Sequence, residues 1–388
     1  MHPFMRSPRR LLGVAVVLAA VITAAACSTE SGEGTQTGSD DAVSEQATTE
    51  LEALFGDGTF ALPPDSGPAA QPGARVAIVN SGVQSPTGTK QAEAATEVAE
   101  LLGWDLSIYD GKYEPAAYQE GIRRAIASNA DVIWLFSIDC PLVKNALEEA
   151  KQAGIPVVSQ EAADCSDVDP NSESYFARTL EFQEGNFVEW AEALGASQAV
   201  WLLSRLGEEA NIIEFSVPEL IITKAISDGF QAKMEEMCPT CPVETVEVKT
   251  AEFGPPLQQK FETALLRNPD ANGISVSYDD LMTTGGAAAV MSSGRNDSLE
   301  VVAGSGFPAN VDLIHKNEGQ DAGFGYDAGI ETWAAADMVN RLLAGEETVP
   351  SGVGVAVFDG ENGLPPEGTQ WETSLDYQSI YKEVWGVS

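Results

Sequence analysis

Apolar residues along the chain fall in short continuous runs, and between the runs lie stretches whose apolar positions recur with helical period. The first run is Arg75-Val76-Ala77-Ile78-Val79-Asn80. A run of this length bounded by turn residues predicts a fully buried parallel strand. It leads through the polar, Gly-containing loop Ser81-Gly82-Val83-Gln84-Ser85-Pro86-Thr87-Gly88 into an Ala-rich helix from Thr89 to Leu102. The cassette then repeats. A strand from Trp104 to Tyr109 precedes a helix from Pro115 to Asn129, and a strand from Asp131 to Ser137 precedes a helix from Pro141 to Ala153. Ile155 to Ser159 closes the series. Tyr118, Ile122, Ala125 and Ile126 form one core stripe, and Val143, Ala146, Leu147 and Ala150 another.

Near Tyr175-Phe176-Ala177 the chain is expected to cross into a second lobe, beginning with a long helix from Gln183 to about Leu206. Strands are predicted at Ala210–Phe215, Val243–Val248, Gly273–Ser277, Leu299–Ala303 and Asp321–Gly325. Helices are predicted at Glu219–Met237, Pro255–Arg267, Leu281–Ser292 and Ala309–Asn317. The helix Gly329–Leu343 returns to the first lobe, and Val353–Phe358 starts a tail on the second. This alternation gives an α/β class: two lobes, each a doubly wound parallel sheet. The lobes are joined by three crossings near Phe176, Tyr326 and Pro350. The expected boundaries are 74–176 plus 327–349 for the first lobe and 177–326 plus 350–388 for the second. Ligands in such sheets bind beyond the carboxyl ends of the strands, so the polar residues that follow each strand are the candidates.

The N-terminus changes the compartment. Arg6, Arg9 and Arg10 precede an apolar core, Leu11 to Ile22, and Ala24-Ala25-Ala26 lead to Cys27. The apolar stretch is short for a membrane span. A small-residue site directly before a Cys resembles a bacterial lipobox, with Ala24 where Leu is more usual. That implies a signal peptide over 1–26 and lipidation at Cys27, which would anchor the chain to the outer face of the cell membrane. Simple secretion and a retained helix are the alternatives. Residues 27–73 are acidic and poor in apolar residues, which predicts a mostly flexible tether. One patch, Leu51-Glu52-Ala53-Leu54-Phe55 and Phe60-Ala61-Leu62-Pro63-Pro64, is apolar enough to dock.

Net charge is −38, and loss of the three N-terminal arginines would take it to −41. A field of this sign disfavours nucleic acid and anionic membrane surfaces as partners. Export leaves Cys140, Cys165, Cys238 and Cys241, an even number in an oxidising compartment. Cys140 and Cys165 each follow a strand, and adjacent strands lie about 5 Å apart. A Cys140–Cys165 disulfide is therefore expected, contributing roughly 3 kcal/mol through the loop it closes. Cys238-Pro239-Thr240-Cys241 has CxxC spacing, read here as a local disulfide, with a redox pair or a metal site as rivals.

Several stretches, in order and spacing, resemble the ribose-binding type of periplasmic binding protein, the type I solute receptors of ABC importers. They run from Gly73 to Gly345 and include Gln119 to Ser137 with Ala153-Gly154-Ile155-Pro156-Val157-Val158, and Ser227-Asp228-Gly229-Phe230. Asn268-Pro269-Asp270-Ala271-Asn272-Gly273, Ser277-Tyr278-Asp279-Asp280 and Val301-Val302-Ala303-Gly304 complete the set. Tyr109-Asp110-Gly111-Lys112-Tyr113, Ile138-Asp139-Cys140-Pro141 and Asp164-Cys165 also look like actinobacterial lipoproteins of this kind.

The resemblance implies where a ligand would be held. The loop after the first strand offers Asn80 and Gln84, and the pair after the fourth strand is Gln160-Glu161. In the second lobe the family's contacts fall on Phe253, Asp279 and Ser305, with Phe307 near, and on Tyr326 at the crossing. The family's Arg falls near Ile226, with Lys224 the nearest cation. The usual Arg, the paired Asp and the first-strand aromatics are missing. With Asp139 added, the pocket holds several carboxylates and aromatics, which suits a hydroxyl-rich or a cationic ligand. Asp139 and Asp279 both precede helices, where capping is an alternative role.

The implied function is a solute receptor that closes on a small sugar-like ligand and presents it to a membrane permease. It would act as a monomer, without cofactor or metal. Sensing for a membrane kinase, or a cationic or aromatic ligand, are the alternatives. No GxSxG, HExxH or Walker A pattern occurs, and beyond the signal segment the chain has one His, His315. No enzymatic role is expected.

Overall fold

The central parallel strands are buried on both faces, and the helices between them cover those faces, while the parallel strands at the edges stay partly exposed. The computed structural model describes residues 42–388, so the signal segment and Cys27 lie outside the described residues. The chain opens with α1 (Ala42–Glu52), β1 (Arg75–Asn80), α2 (Pro86–Leu102), β2 (Asp105–Asp110) and α3 (Pro115–Ala127). It continues with β3 (Val132–Phe136), α4 (Cys140–Ala153), β4 (Val157–Gln160), the short α5 (Cys165–Val168) and β5 (Arg178–Thr179). The second half runs α6 (Phe187–Leu206), β6 (Ile212–Ser216), α7 (Ile221–Met237), β7 (Val243–Glu247), α8 (Pro255–Arg267) and β8 (Gly273–Val276). Then come α9 (Asp279–Leu281), α10 (Ala287–Ser292), β9 (Glu300–Ala303), α11 (Pro308–Lys316) and β10 (Ala322–Gly325). The last elements are α12 (Ala328–Ala344), β11 (Ala356–Asp359) and α13 (Tyr377–Trp385).

Two sheets result. The first has order β2-β1-β3-β4-β5, all parallel, and the second β11-β10-β9-β8-β6-β7, parallel except for β11. This is the expected class, two α/β lobes. Val79, Ile133 and Leu135 pack on Ile122 and Leu147 in one core, and Phe215 stacks on Phe261 at 3.5 Å in another. The lobes are not separate globules. A continuous apolar cluster joins Trp134 and Phe136 of the first sheet to Trp190 of α6 and to Phe324 and Phe358 of the second sheet. The helix α12 packs against α2 and β4.

Three expectations change. The stretch before β1, expected as a mostly flexible tether, is built onto the body from Ala42 onward. Ala47 and Leu51, one helical turn apart on α1, are buried in a cluster with Trp201 and Phe230. Further on, the Val357 N–H donates to the Leu54 carbonyl at 2.8 Å and the Thr59 N–H to that of Val355 at 2.9 Å. The segment then reaches α12 and α13. The Arg341 guanidinium donates to the Ser66 carbonyl at 2.6 Å, and the Ala70 N–H to that of Trp385 at 3.0 Å. Docking of the patch over 51–55 and 60–64 was expected and is seen; mean composition hid the rest, because a few apolar residues at helical spacing and a run of paired backbone groups suffice to dock the segment.

The tail is the second change. Only β11 joins the second sheet. Tyr381 and Trp385 of α13 instead cover Trp333 of α12, with Trp385 stacked on it at 5.6 Å and donating its indole N–H to Asp337 at 2.8 Å. Third, the helix expected over 281–292 is broken. A π turn over Met282–Gly286 separates α9 from α10, and Gly285 leaves helical geometry there.

Asp337 and Arg341 form a buried ion pair at 2.6 Å. Arg341→Ala would strand Asp337 in the interior and release Ser66. Loss of about 3–5 kcal/mol is expected, read by denaturant unfolding, together with faster proteolysis between Ala61 and Gly73.

Candidate functional site

The register of the first sheet sets the site. β3 and β4 pair with Phe136 opposite Gln160, so Ser137 and Glu161 emerge side by side beyond the carboxyl ends of the strands. Both take left-handed backbone, at φ 53 and φ 50. Non-Gly residues seldom adopt this conformation, and it concentrates at functional sites. The Glu161 carboxylate collects three donors on one oxygen. Ser137 Oγ reaches Oε2 at 2.5 Å, Gln91 Nε2 at 2.9 Å and Tyr326 Oη lies at 3.2 Å. Tyr326 Oη also lies 2.9 Å from Glu331 Oε2 on α12. Burial raises both carboxyls, Glu331 well above the usual range. Asp139 adds to the charge felt by Glu161. It accepts the Ala163 N–H at 2.9 Å and does not cap α4, and burial pushes its carboxyl up to about 6.

A second group sits at the tips of β8 and β9. Asp279 is buried and accepts the Ser305 N–H at 2.6 Å, and its carboxyl is pushed up to about 6 by burial. Gly304, at φ 62, lies so close that a Cβ there would run into the Asp279 carboxylate. Tyr278 precedes Asp279 and has Phe253 at 6.2 Å. Phe307 starts α11 beside Ser305.

The two groups lie within electrostatic reach of one another. Tyr278 of the second sheet lies in the field of Tyr113 and Glu161 of the first, and Tyr113 in that of Asp280. Tyr113 follows β2 and its ring lies against Gly82, where any Cβ would meet it. It thus puts an aromatic ring beside the β1 loop.

The candidate residues therefore divide. Asp139, Glu161 and Tyr326 gather on the first side, and Phe253, Asp279, Ser305 and Phe307 on the second. Asn80 is committed to its own loop, accepting the Gly82 N–H at 2.8 Å and donating to the Gly88 carbonyl at 3.1 Å. Gln84 is exposed in the turn before α2. Gln160 points inward and donates to Thr332 of α12 at 3.2 Å. Gln91, Ser137, Glu331, Tyr113 and Tyr278 were not singled out from the sequence. For Glu331 a signal existed, a lone acid between Ile330 and Trp333 on a helix with an apolar face.

Elsewhere, Cys140 and Cys165 are joined with their Cα atoms 5.1 Å apart, and Cys238 and Cys241 at 5.4 Å. Cys140 and Cys165, with Asp164, form the one cluster of metal-ligating type among the described residues, and both sulfurs are taken by the disulfide. His315 is exposed, its ring nitrogen 2.7 Å from the Pro365 carbonyl.

Residues 76–347 match the periplasmic binding protein domain family. The chain belongs to that family. Among its members and their structural neighbours, a D-apiose import binding protein from Actinobacillus succinogenes is 24% identical over 228 residues, 58% of this chain and 68% of that one. A solute-binding protein from Agrobacterium vitis bound with α-D-tagatopyranose superposes with TM-score 0.64 at 17% identity, covering 77% of this chain and 100% of that one. One from Mycobacterium smegmatis with bound glycerol gives 0.61 at 21%, covering 77% and 100%. The family match begins at the second residue of β1, so α1 and the segment after it lie outside the shared part.

A carboxyl whose pKa is higher in the folded than in the unfolded chain binds more protons when folded, so stability falls as pH rises between the two values. Asp139, Asp279 and Asp327 place that interval between about 4 and about 6, and Glu331 extends it upward. Melting temperature is expected to fall from pH ~5 to pH ~8. Glu331→Gln should flatten the upper part of the curve, as thermal melts across that range would show.

Proposed function

We propose that this chain is an extracytoplasmic solute-binding receptor that hands a small, hydroxylated, sugar-like solute to an ABC permease. The observation that carries the reading is the nearness of the two strand-tip groups, with Glu161 and Tyr113 on one side and Tyr278 and Asp279 on the other. A solute between them touches both lobes only when they are closed, so binding shifts the population toward the closed form. The family supports a binding role, and relatives that import D-apiose or hold a tagatose support the sugar-like class.

In this reading the first lobe comprises 74–176 plus 327–349 and the second 177–326 plus 350–388, with α13 docked back on the first. Crossings near Phe176, Tyr326 and Pro350 carry the hinge. Cys27 carries the lipid that holds the receptor at the outer face of the membrane. The candidate contacts are Asp139, Glu161, Phe253, Asp279, Ser305, Phe307 and Tyr326, with Asn80, Gln84 and Gln160 shaping the loops and strand ends behind them.

Mass spectrometry of the small molecules that co-purify with the protein would name the solute. With it, Glu161→Ala and Asp279→Ala should each weaken binding about tenfold or more, the loss of a charge-assisted hydrogen bond. Circular dichroism should show the fold retained. Full affinity in both variants would place the site elsewhere. X-ray scattering should show a smaller radius of gyration once the solute is added.

A further inference from the structure

The solute-binding reading leaves the charge of the solute open, and the inference here rests on that reading. We propose that the cleft takes a cationic solute, a small hydroxylated molecule bearing a protonated amine.

The hydrogen-bond inventory of the strand tips is one-sided. All three donors to Glu161 arrive at Oε2, which leaves Oε1 unpaired among the described residues and open to solvent. Asp139 uses Oδ1 on Ala163 and leaves Oδ2 open in the same way. Asp280 makes no side-chain hydrogen bond among the described residues. Apart from the Tyr278 phenol, which makes no side-chain hydrogen bond among the described residues, the free positions are carboxylate oxygens, which only accept when ionised. A ligand must bring the donors.

Deeper in the same cluster two acceptors have no partner. Gln91 donates to Glu161, and its Oε1 is buried and unpaired. Glu331 meets Tyr326 through Oε2, and its Oε1 is buried and unpaired. Both residues are fully buried. Unpaired buried acceptors are uncommon and call for an explanation. Here both hang from the carboxylate that faces the cleft.

Among the described residues no cation is paired with these carboxyls. The strongest influences on Glu161, Asp139, Asp279, Asp280, Tyr113, Tyr278 and Tyr326 are burial, hydrogen bonds and other acids or phenols; no Lys or Arg is among them. Lys90 pairs with Glu372 at 2.6 Å, Lys224 pairs with Asp228, and Lys112 is exposed. A neutral sugar would leave these carboxylates unbalanced as the lobes shut out water, an unfavourable state for buried ions. An ammonium group offsets it. Tyr113, Tyr278 and Phe253 supply the aromatic faces that a cation prefers. The overall charge of −38 draws cations toward the mouth.

The test uses matched pairs on the purified protein: D-glucose against D-glucosamine and D-galactose against D-galactosamine, with putrescine as a cation lacking hydroxyls. Calorimetry and thermal shift read the binding. The amine of each pair is expected to bind at least about tenfold tighter than its neutral twin. Its affinity should fall as NaCl rises from about 50 to about 500 mM. It should drop by about tenfold again in Glu161→Gln and in Asp139→Asn, two isosteric changes at independent positions. Neutral twins that bind as well as the amines, with no salt dependence, overturn the charge assignment and leave the solute-receptor reading standing. Putrescine alone binding overturns the hydroxylated part of the assignment. If no member binds, the inference falls together with the sugar-like class it builds on.

Discussion

One phenol between two acids governs the centre of this molecule. Tyr326 Oη lies within hydrogen-bond reach of both Glu161 and Glu331, and a phenol has a single proton to give. The second contact therefore needs a proton from one of the acids. Glu331 is the one to hold it. It is fully buried, no cation acts on it, and burial raises its carboxyl well above the ordinary range. Glu161 has Ser137 and Gln91 as further donors and is the better placed to stay ionised. The resulting order, Glu331 to Tyr326 to Glu161, ties α12 to the crossing after β10 and to the tip of β4. It also fixes which oxygen of Glu161 is occupied and which is offered outward.

That polar chain crosses an apolar boundary. Phe182 stacks on Trp190 at 4.7 Å, and Tyr326 lies 6.2 Å from the same indole. The crossings are thus packed, not loose. The segment before β1 and the tail add further connections. The first docks α1 against α6 and then runs to α12, while the second leaves β11 and returns to α12 through α13. Rocking of the lobes must be absorbed by a few residues within these packed connections, where small backbone changes suffice.

How much of this was legible in the sequence follows from what each signal measures. β1 and β3 are buried on both faces, so continuous apolar runs marked them plainly. Helices ending in a left-handed Gly, such as α2 at Gly103 and α4 at Gly154, carried their own stop signals. α1 did not, because its docking uses little more than Ala47 and Leu51 within an acidic stretch. The break between α9 and α10 was missed because Gly285-Gly286 sit inside a run of otherwise good helix formers. At the site, the strand ends narrowed the search, and the family resemblance then pointed to Glu161 and Asp279. Gln91 and Glu331 lie on helices and meet the strand tips only through tertiary packing, which no local pattern encodes. Tyr113 and Tyr278 stood in stretches already of interest, but their nearness depends on how the lobes are set.

The distribution of charge bears on how such a receptor distinguishes empty from loaded. Glu161 and Asp139 stand on one rim, Asp279 and Asp280 on the other. In an open form water would reach the outward oxygens of these groups, and repulsion between the rims would be weak. Closing the empty cleft removes that water while bringing like charges together, so closure without a solute is disfavoured on both counts. A ligand that only bridged the lobes would add contacts. One that also supplies donors and positive charge removes the obstacle itself. Differential affinity for the closed form then comes from relief of the rim repulsion as much as from direct bonds.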